Sequence, residues 1–312
     1  MYLPKIINTW PEIRYRIVVL HRLITVSMVL FFLINTCHAQ PTSKNYPVQL
    51  SQFMYGYPFI NPSSMGVNAN YEVFMGYQRP VTEFTGISTY NCMVSFVPYR
   101  IKASAKSKSV AGLRFFNDNE GAYINRMRFY GMYAFHTRIN SKLNFAGGLD
   151  FGGMNFAVKA TPTTEGASIF KADANAGIWF YNKRFHVGFS VNQLFNSVFQ
   201  PIDERTVLPT HINLTGSYAV VSNDRIELRP HVLLTYPYYS RTSIQAGLHG
   251  LILKKLITSV SWNYKTNFSA MLGVNNLAIY RTNLDIILSY VTGIQRAALD
   301  INKLEISVLC SL

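Results

Sequence analysis

Histidines are the first residues to question for catalysis, and the seven here are scattered: His21, His38, His136, His186, His211, His231 and His249. No two of them hold zinc-ligand spacing, and Cys37, Cys92 and Cys310 form no Cys-x-x-Cys pair. The chain has no Gly-x-Ser-x-Gly elbow for a serine nucleophile. A Ser/His pair brought together from separate strands, as in a barrel lipase, stays open as a lesser alternative. The glycines of "GGLDFGG" (Gly147 to Gly153) sit inside a strand pattern and open no helix, so they cradle no phosphate. They are expected to thin a sheet or let it curve. "RFYGMYAF" (Arg128 to Phe135) has the aromatic spacing of an RNA-stacking strand, but Phe129 stands where that motif wants Gly. It reads better as an amphipathic strand with Phe129, Gly131, Tyr133 and Phe135 toward lipid. The expectation is a protein with no catalytic residue, no cofactor and no metal, and therefore not an enzyme.

The charges are more informative. Arg114, Arg126, Arg128, Glu227, Arg229, His231 and Asp285 fall on the polar faces of alternating segments. Two uses are open for them: an ion-pair network inside a barrel, or a basic surface that holds an acidic segment of a passenger or plug. Lys102, Lys106 and Lys108 lie in "PYRIKASAKSKS" (Pro98 to Ser109), which reads as a basic turn, periplasmic by the parity of the strands set out below. Such a turn touches a partner, meets lipid headgroups, or is simply solvated.

The elements that must position these residues are strands. In "KLITSVSWNY", Leu256, Thr258, Val260, Trp262 and Tyr264 share one face, with Ile257, Ser259, Ser261 and Asn263 on the other. "HINLTGSYAV" and "DRIELRPHVLLTY" alternate in the same way. Strands are expected near 71–78, 86–97, 109–117, 122–137, 142–156, 169–181, 184–191, 210–221, 224–235, 242–253, 256–264, 268–276, 282–291 and 301–311. Aromatic residues make up 14% and charged residues 14% of the chain, the latter far below the roughly 25% of soluble domains. An even count of about fourteen strands, aromatic-rich and charge-poor, points to an all-β, transmembrane antiparallel barrel of the outer membrane. A charge on a lipid face costs about 2–4 kcal/mol at mid-membrane, which favours a lumen position for the charges above. A soluble sandwich would charge its outer face more heavily, and no propeller repeat is present.

The first 39 residues read as a signal peptide. Lys5, Arg14, Arg16 and Arg22 precede a short apolar core, Leu23 to Ile34, and Cys37 and Ala39 offer small residues for cleavage before Gln40. Residues 40–70 form an N-terminal segment, and 71–312 the barrel. Export makes nucleic acid an improbable partner for a chain of net charge +14. Cys92 and Cys310 are expected as unpaired strand cysteines. Connections after even-numbered strands are tight, and those at 157–168, 192–209 and 292–300 are long. By the habit of outer-membrane barrels the tight turns and both termini are periplasmic. The long connection 98–109 and the short one at 265–267 break the pattern.

"SQFMYGYPFINPSSMG" (Ser51 to Gly66) resembles the opening of the PorP/SprF family of type IX secretion proteins, a Phe-rich stretch followed by Asn-Pro-Ala-x-x-Gly. Asn61, Pro62 and Gly66 match, and Ser63 replaces the alanine. "GYQRP" (Gly76 to Pro80) is similar to a shortened Tyr-Arg-x-Gln-Trp, without the Trp. Ala134, Phe135 and His136 follow its Tyr-Ala-Tyr-His, and Gly188, Ser190 and Leu194 its Gly-x-Ser-x-x-x-Leu. Near the end, Glu305 and Ile306 keep two positions of His-Glu-Ile. The resemblance spans essentially the whole mature chain. It implies an integral outer-membrane protein of Bacteroidota, serving type IX secretion or gliding motility without enzymatic activity. It also implies partners: outer-membrane lipid, a secreted adhesin whose C-terminal sorting domain is received or anchored, and components of the secretion or gliding machinery. The alternative is an outer-membrane channel for small or hydrophobic solutes.

The opening stretch then gains a physical expectation. Pro58 and Pro62 fix φ and lack donors, so they favour a stiff, extended path, and Gly66 permits a sharp turn. Residues 48–68 are expected to cross the periplasmic mouth and plug the lumen, with Phe53, Tyr55, Tyr57 and Phe59 on the inner wall. A disordered linker is the alternative.

Overall fold

Alternation decides the architecture, and β4 shows how. Along Ile124–Asn140, Arg126, Arg128, Tyr130, Met132, Ala134 and His136 are buried, while Met127, Phe129, Gly131, Tyr133 and Phe135 between them are exposed. The exposed face is the apolar one, and two of the buried side chains are arginines. Such a strand is stable only with lipid outside and a polar, enclosed interior. The same inversion runs round the molecule. Leu149, Phe151, Leu214, Leu248, Trp262, Leu272 and Leu288 are exposed, while Asp150, Asn213, His231, Ser259, Ser289 and Glu305 are buried.

The structure is a computed structural model that describes residues 51–81, 88–96, 106–120, 123–162, 165–200, 206–238, 241–264, 267–279, 282–293 and 302–311. The leader, residues 40–50 and Lys102 lie outside these. Fourteen wall strands run in chain order: β1 (Tyr71–Pro80), β2 (Ser88–Phe96), β3 (Ser107–Glu120), β4 (Ile124–Asn140), β5 (Leu143–Val158), β6 (Ala167–Tyr181) and β7 (Phe185–Asn192). They continue as β8 (His211–Tyr218), β9 (Ile226–Tyr238), β10 (Arg241–Ile252), β11 (Leu256–Asn263), β12 (Asn267–Ile279), β13 (Thr282–Gly293) and β14 (Lys303–Ser311). Each pairs antiparallel with its sequence neighbours. The first and last strands also pair, from Glu72↔Ser311 to Pro80↔Lys303, so the sheet closes on itself. Closure satisfies the backbone groups that an open sheet would expose to lipid.

The tight turns lie at one end and are built by asparagines. Asn182 Oδ1 accepts from the N–H groups of Arg184 and Phe185 at 2.7 and 2.9 Å. Asn223 Oδ1 does the same for Arg225 and Ile226 at 2.9 and 2.8 Å. These Asx turns let the chain reverse within a few residues. Leu253 and Lys254 take φ of 52° and 56° to close the β10–β11 turn. At the other end the connections 159–166 and 193–210 are long. The second carries a small hairpin, Val198–Phe199 with Thr206–Val207. Phe199 and Leu208 from it turn inward onto Met154 and Phe156.

Candidate functional site

The lumen is occupied by the chain's own N-terminal segment. Ser51 opens the described path on the β13–β14 wall. Its N–H donates to Glu305 Oε2 at 3.0 Å, and its hydroxyl lies 2.9 Å from Ser289 Oγ. Gln52 Nε2 donates to Ser289 Oγ at 3.0 Å, and Gln78 of β1 donates to the same Glu305 carboxylate at 3.3 Å. Phe53 and Met54 then sink into an apolar patch of Leu233, Ile257, Met271 and Ile287. These four are inward-facing residues on strands whose lumen side is otherwise largely polar. A second inward patch, Phe74, Val110, Met132, Ala134 and Leu309, receives Met65, Tyr55 and Phe59. Both patches lie where the segment lands.

Between them the segment crosses to the other wall. Tyr57 Oη lies 2.7 Å from His231 Nδ1, and its ring packs 5.2 Å from Trp179, which stacks on His186 at 4.6 Å. Burial pushes the Tyr57 phenol well above its ordinary value, so it keeps its proton. Tyr55 meets His249, ring to ring, at 5.5 Å. Contrary to the extended path expected from the prolines, the chain then coils. Tyr57–Ile60 forms one α-helical turn, and Pro62–Ser64 one 3-10 turn. Pro58 and Pro62 stand in the first turn of each, where the missing N–H would have had no helical partner.

Asn61 holds the junction. Its Oδ1 accepts from the Ser63 N–H at 3.1 Å as the cap of the 3-10 turn. Its Nδ2 donates to two wall carbonyls, Ile178 at 3.0 Å and Phe189 at 3.1 Å. The Ile60 carbonyl accepts from Ser190 Oγ at 2.8 Å and Asn192 Nδ2 at 3.0 Å. Arg114 Nη1 donates to the Phe59 carbonyl at 2.7 Å. His136 Nε2 lies 2.8 Å from the Met65 carbonyl, and Lys108 Nζ donates to the Gly66 carbonyl. Gly66 has φ of 75°, and a Cβ there would fall 2.6 Å from Val110 Cγ2, so both backbone and space require glycine.

Two wall glycines make room for this junction. A Cβ on Gly148 would lie 2.5 Å from the Ser63 N and Cα, and one on Gly177 would overlap the Asn61 side-chain oxygen. Gly148 belongs to "GGLDFGG", expected to thin the wall; what the thin wall admits is the backbone of residues 62–63.

The lumen charges divide into local groups. Arg114 pairs with Asp150 at 3.0 Å and Arg126 with Asp118 at 3.3 Å, all four side chains buried. Arg128 lies 5.3 Å over the Phe116 ring, with its Nε 3.2 Å from Met154 Sδ. Tyr130 Oη donates to Asp173 at 2.6 Å, and Arg114 lies 4.3 Å over the Tyr130 ring. Glu227 and Arg229 pair on β9 at 2.8 Å, and Asp285 accepts from the Asn276 N–H at 2.7 Å. Arg114 joins the two expected uses, since it holds an internal ion pair and also a carbonyl of the N-terminal segment. Of the three lysines expected in one basic turn, Lys106 is exposed beside the start of β3. Lys108 is corrected: β3 begins at Ser107, so Lys108 is a strand residue, and its ammonium reaches inward to Gly66.

Glu305, Ser190 and His136 were present in the sequence as family-motif positions, and the structure makes each a contact of residues 51–66. Gly148 and Gly177 carried no such signal. Ile257 and Leu233 did: they are apolar residues on otherwise polar faces. A cavity of about 570 Å³ remains at the tight-turn mouth, lined among others by Tyr55, Tyr57, Trp179, His186, His231 and Arg229. Among the described residues no three His, Cys, Asp or Glu side chains are placed to hold a metal ion. Cys310 is a free thiol.

The family described as "Type IX secretion system membrane protein PorP/SprF" matches residues 42–308. No curated protein matches the sequence. Solved barrels match in shape. A Pseudomonas aeruginosa FadL homologue aligns at TM-score 0.51 and 8% identity, over 80% of this chain and 92% of its own. The Pseudomonas putida toluene transporter TodX aligns at 0.51 and 9%, over 88% and 94%. The monoaromatic hydrocarbon channel CymD aligns at 0.52 and 8%, over 85% and 92%. At these identities the likeness is one of fold, an outer-membrane β-barrel.

Proposed function

Because the chain belongs to the PorP/SprF family of type IX secretion membrane proteins, we propose that this outer-membrane component is a non-enzymatic receiver or anchor. Its client would be a secreted surface protein, held through that protein's C-terminal sorting domain. The observation that carries the reading is the occupied lumen. Residues 51–66 bond to β3, β4, β6, β7, β13 and β14, and fill both inward apolar patches. A barrel whose interior is committed to its own chain offers surfaces rather than a passage. In this reading the tight turns and both termini are periplasmic, the machinery docks at that end, and the long connections 159–166 and 193–210 face the client. The test is a pull-down of the tagged protein from detergent-solubilised outer membranes, read by mass spectrometry. Recovery of one large surface protein with a sorting domain is the expected result. A partnerless barrel would overturn it.

The second reading, a channel for small or hydrophobic solutes, draws on the likeness in fold to the toluene transporter and the monoaromatic hydrocarbon channel and on the aromatic-lined cavity at the tight-turn mouth. It requires residues 51–66 to move aside, which bilayer conductance measures directly.

A further inference from the structure

Among the described residues, the ladder of the closed wall is incomplete along one side of β6. β6 pairs with β5 along its whole length, from Asn144↔Tyr181 to Val158↔Ala167. On its other side it pairs with β7 only from Ala176↔Val191 to Tyr181↔His186. β7 ends at Asn192 and the chain leaves into the connection 193–210. Among the described residues no strand covers 167–175 on that side. The connection bonds part of it: the Leu194 N–H donates to the Ala174 carbonyl at 3.0 Å, and Ser197 Oγ to the Ala172 carbonyl at 3.0 Å.

Those two bonds reveal which groups point outward. In an antiparallel strand the N–H and C=O of one residue point to the same side, and alternate residues point to opposite sides. Ser168 and Phe170 therefore aim their backbone groups the way Ala172 and Ala174 do, toward the open side. Both are exposed, Phe170 at 64%. The Ser168 hydroxyl is turned to Asn155 on β5, so it does not serve the open side. Ile169 between them faces inward onto the Phe199 cluster, which fixes the strand in place.

The geometry points to residues 167–171 as a strand-addition site for an extended segment of the secreted protein. Alternating donors and acceptors at strand spacing are complemented by another extended backbone, and strand addition uses that match for affinity. The segment that fits carries an apolar residue beside Phe170. Exposed Leu194 and Phe195 of the following connection continue that apolar surface. This inference rests on the reading of the protein as a receiver, and it places the grip at the end of the long connections.

The test compares Phe170→Pro with Phe170→Ala in the full chain. Proline removes an N–H that the β5 ladder does not use, a change that edge positions tolerate, while alanine keeps the N–H. The readout is the surface protein co-purified from outer membranes, quantified by mass spectrometry, with heat-modifiable migration of the barrel as the fold check. The expected result is a loss of about tenfold for proline, equivalent to ~1.4 kcal/mol, and retention for alanine. Hydrogen exchange on the wild-type complex provides a reading that needs no variant: the Ser168 and Phe170 amides become protected relative to the free barrel. Undiminished capture by a folded Phe170→Pro protein overturns the strand-addition site alone, as does unprotected exchange. Absence of any surface protein on the wild-type barrel overturns the receiver reading and this inference with it.

Discussion

Asn61 concentrates more of the segment's bonding than any other side chain on it. Its amide caps a turn with one atom and bridges two wall carbonyls with the other. Asn61→Ala loses the cap, worth ~1 kcal/mol, and one hydrogen bond to each of two wall carbonyls, for ~0.5–1.5 kcal/mol each. Asn61→Asp keeps the cap but points a carboxylate oxygen at those carbonyls, and is expected to be the worse of the two. Limited proteolysis of the folded barrel checks this: cleavage near residues 51–66 should rise in the order wild type, Ala, Asp, while the barrel still migrates as a folded band. Equal resistance in all three would mean that the junction is held by other contacts. Gly177→Ala attacks the same junction from the wall, since its Cβ would overlap the Asn61 oxygen. Its effect should not add to that of Asn61→Ala, because both remove one interaction.

The strands were legible and the N-terminal segment only half so, for a physical reason. A wall strand between lipid and lumen obeys a period of two along its whole length, so "HINLTGSY" and "LITSVSWN" declare themselves residue by residue. The segment has no such solvent on either side. Its shape is set by where wall glycines, serines and carbonyls happen to stand, and most of these come from strands more than a hundred residues away. Proline likewise was ambiguous, because the same fixed φ suits an extended path and a first helical turn. Lys108 was misplaced for a related reason: a basic residue among serines reads as a turn unless its inward partner, the Gly66 carbonyl, is known. The segment's placement can be tested as an element. Ser51 Oγ and Ser289 Oγ lie 2.9 Å apart, so a Ser51→Cys, Ser289→Cys protein should oxidise to a disulfide within intact membranes. Full cross-linking, seen as a shifted band that reductant reverses, is expected; failure to cross-link would place the segment elsewhere.

At the scale of the molecule, closure and charge combine. The ring is sealed by the β1–β14 pairing, so solutes can pass only through the lumen, where residues 51–66 lie. The tight-turn rim carries exposed Lys142, Lys183, Arg184, Arg225, Lys254 and Lys255, with Asp224 as an exposed acidic partner to Lys254 at 2.7 Å. Inside, Arg114 and Arg126 are matched by Asp150 and Asp118. The described part of that rim is therefore predominantly positive. A pore opened there should favour anions, because fixed charge at a mouth raises the local concentration of counter-ions. The wild-type protein is expected to be silent in planar bilayers. A protein lacking residues 51–66 should conduct, and in a KCl gradient its reversal potential should take the sign of chloride selectivity. Removing the segment also exposes the Phe53 and Met65 sockets, at ~1.5–3 kcal/mol for each buried side chain, so the opened barrel should unfold at a lower denaturant concentration. A wild-type barrel that already conducts as well as the shortened one would show that the segment does not close the lumen, and would leave the solute channel as the better account.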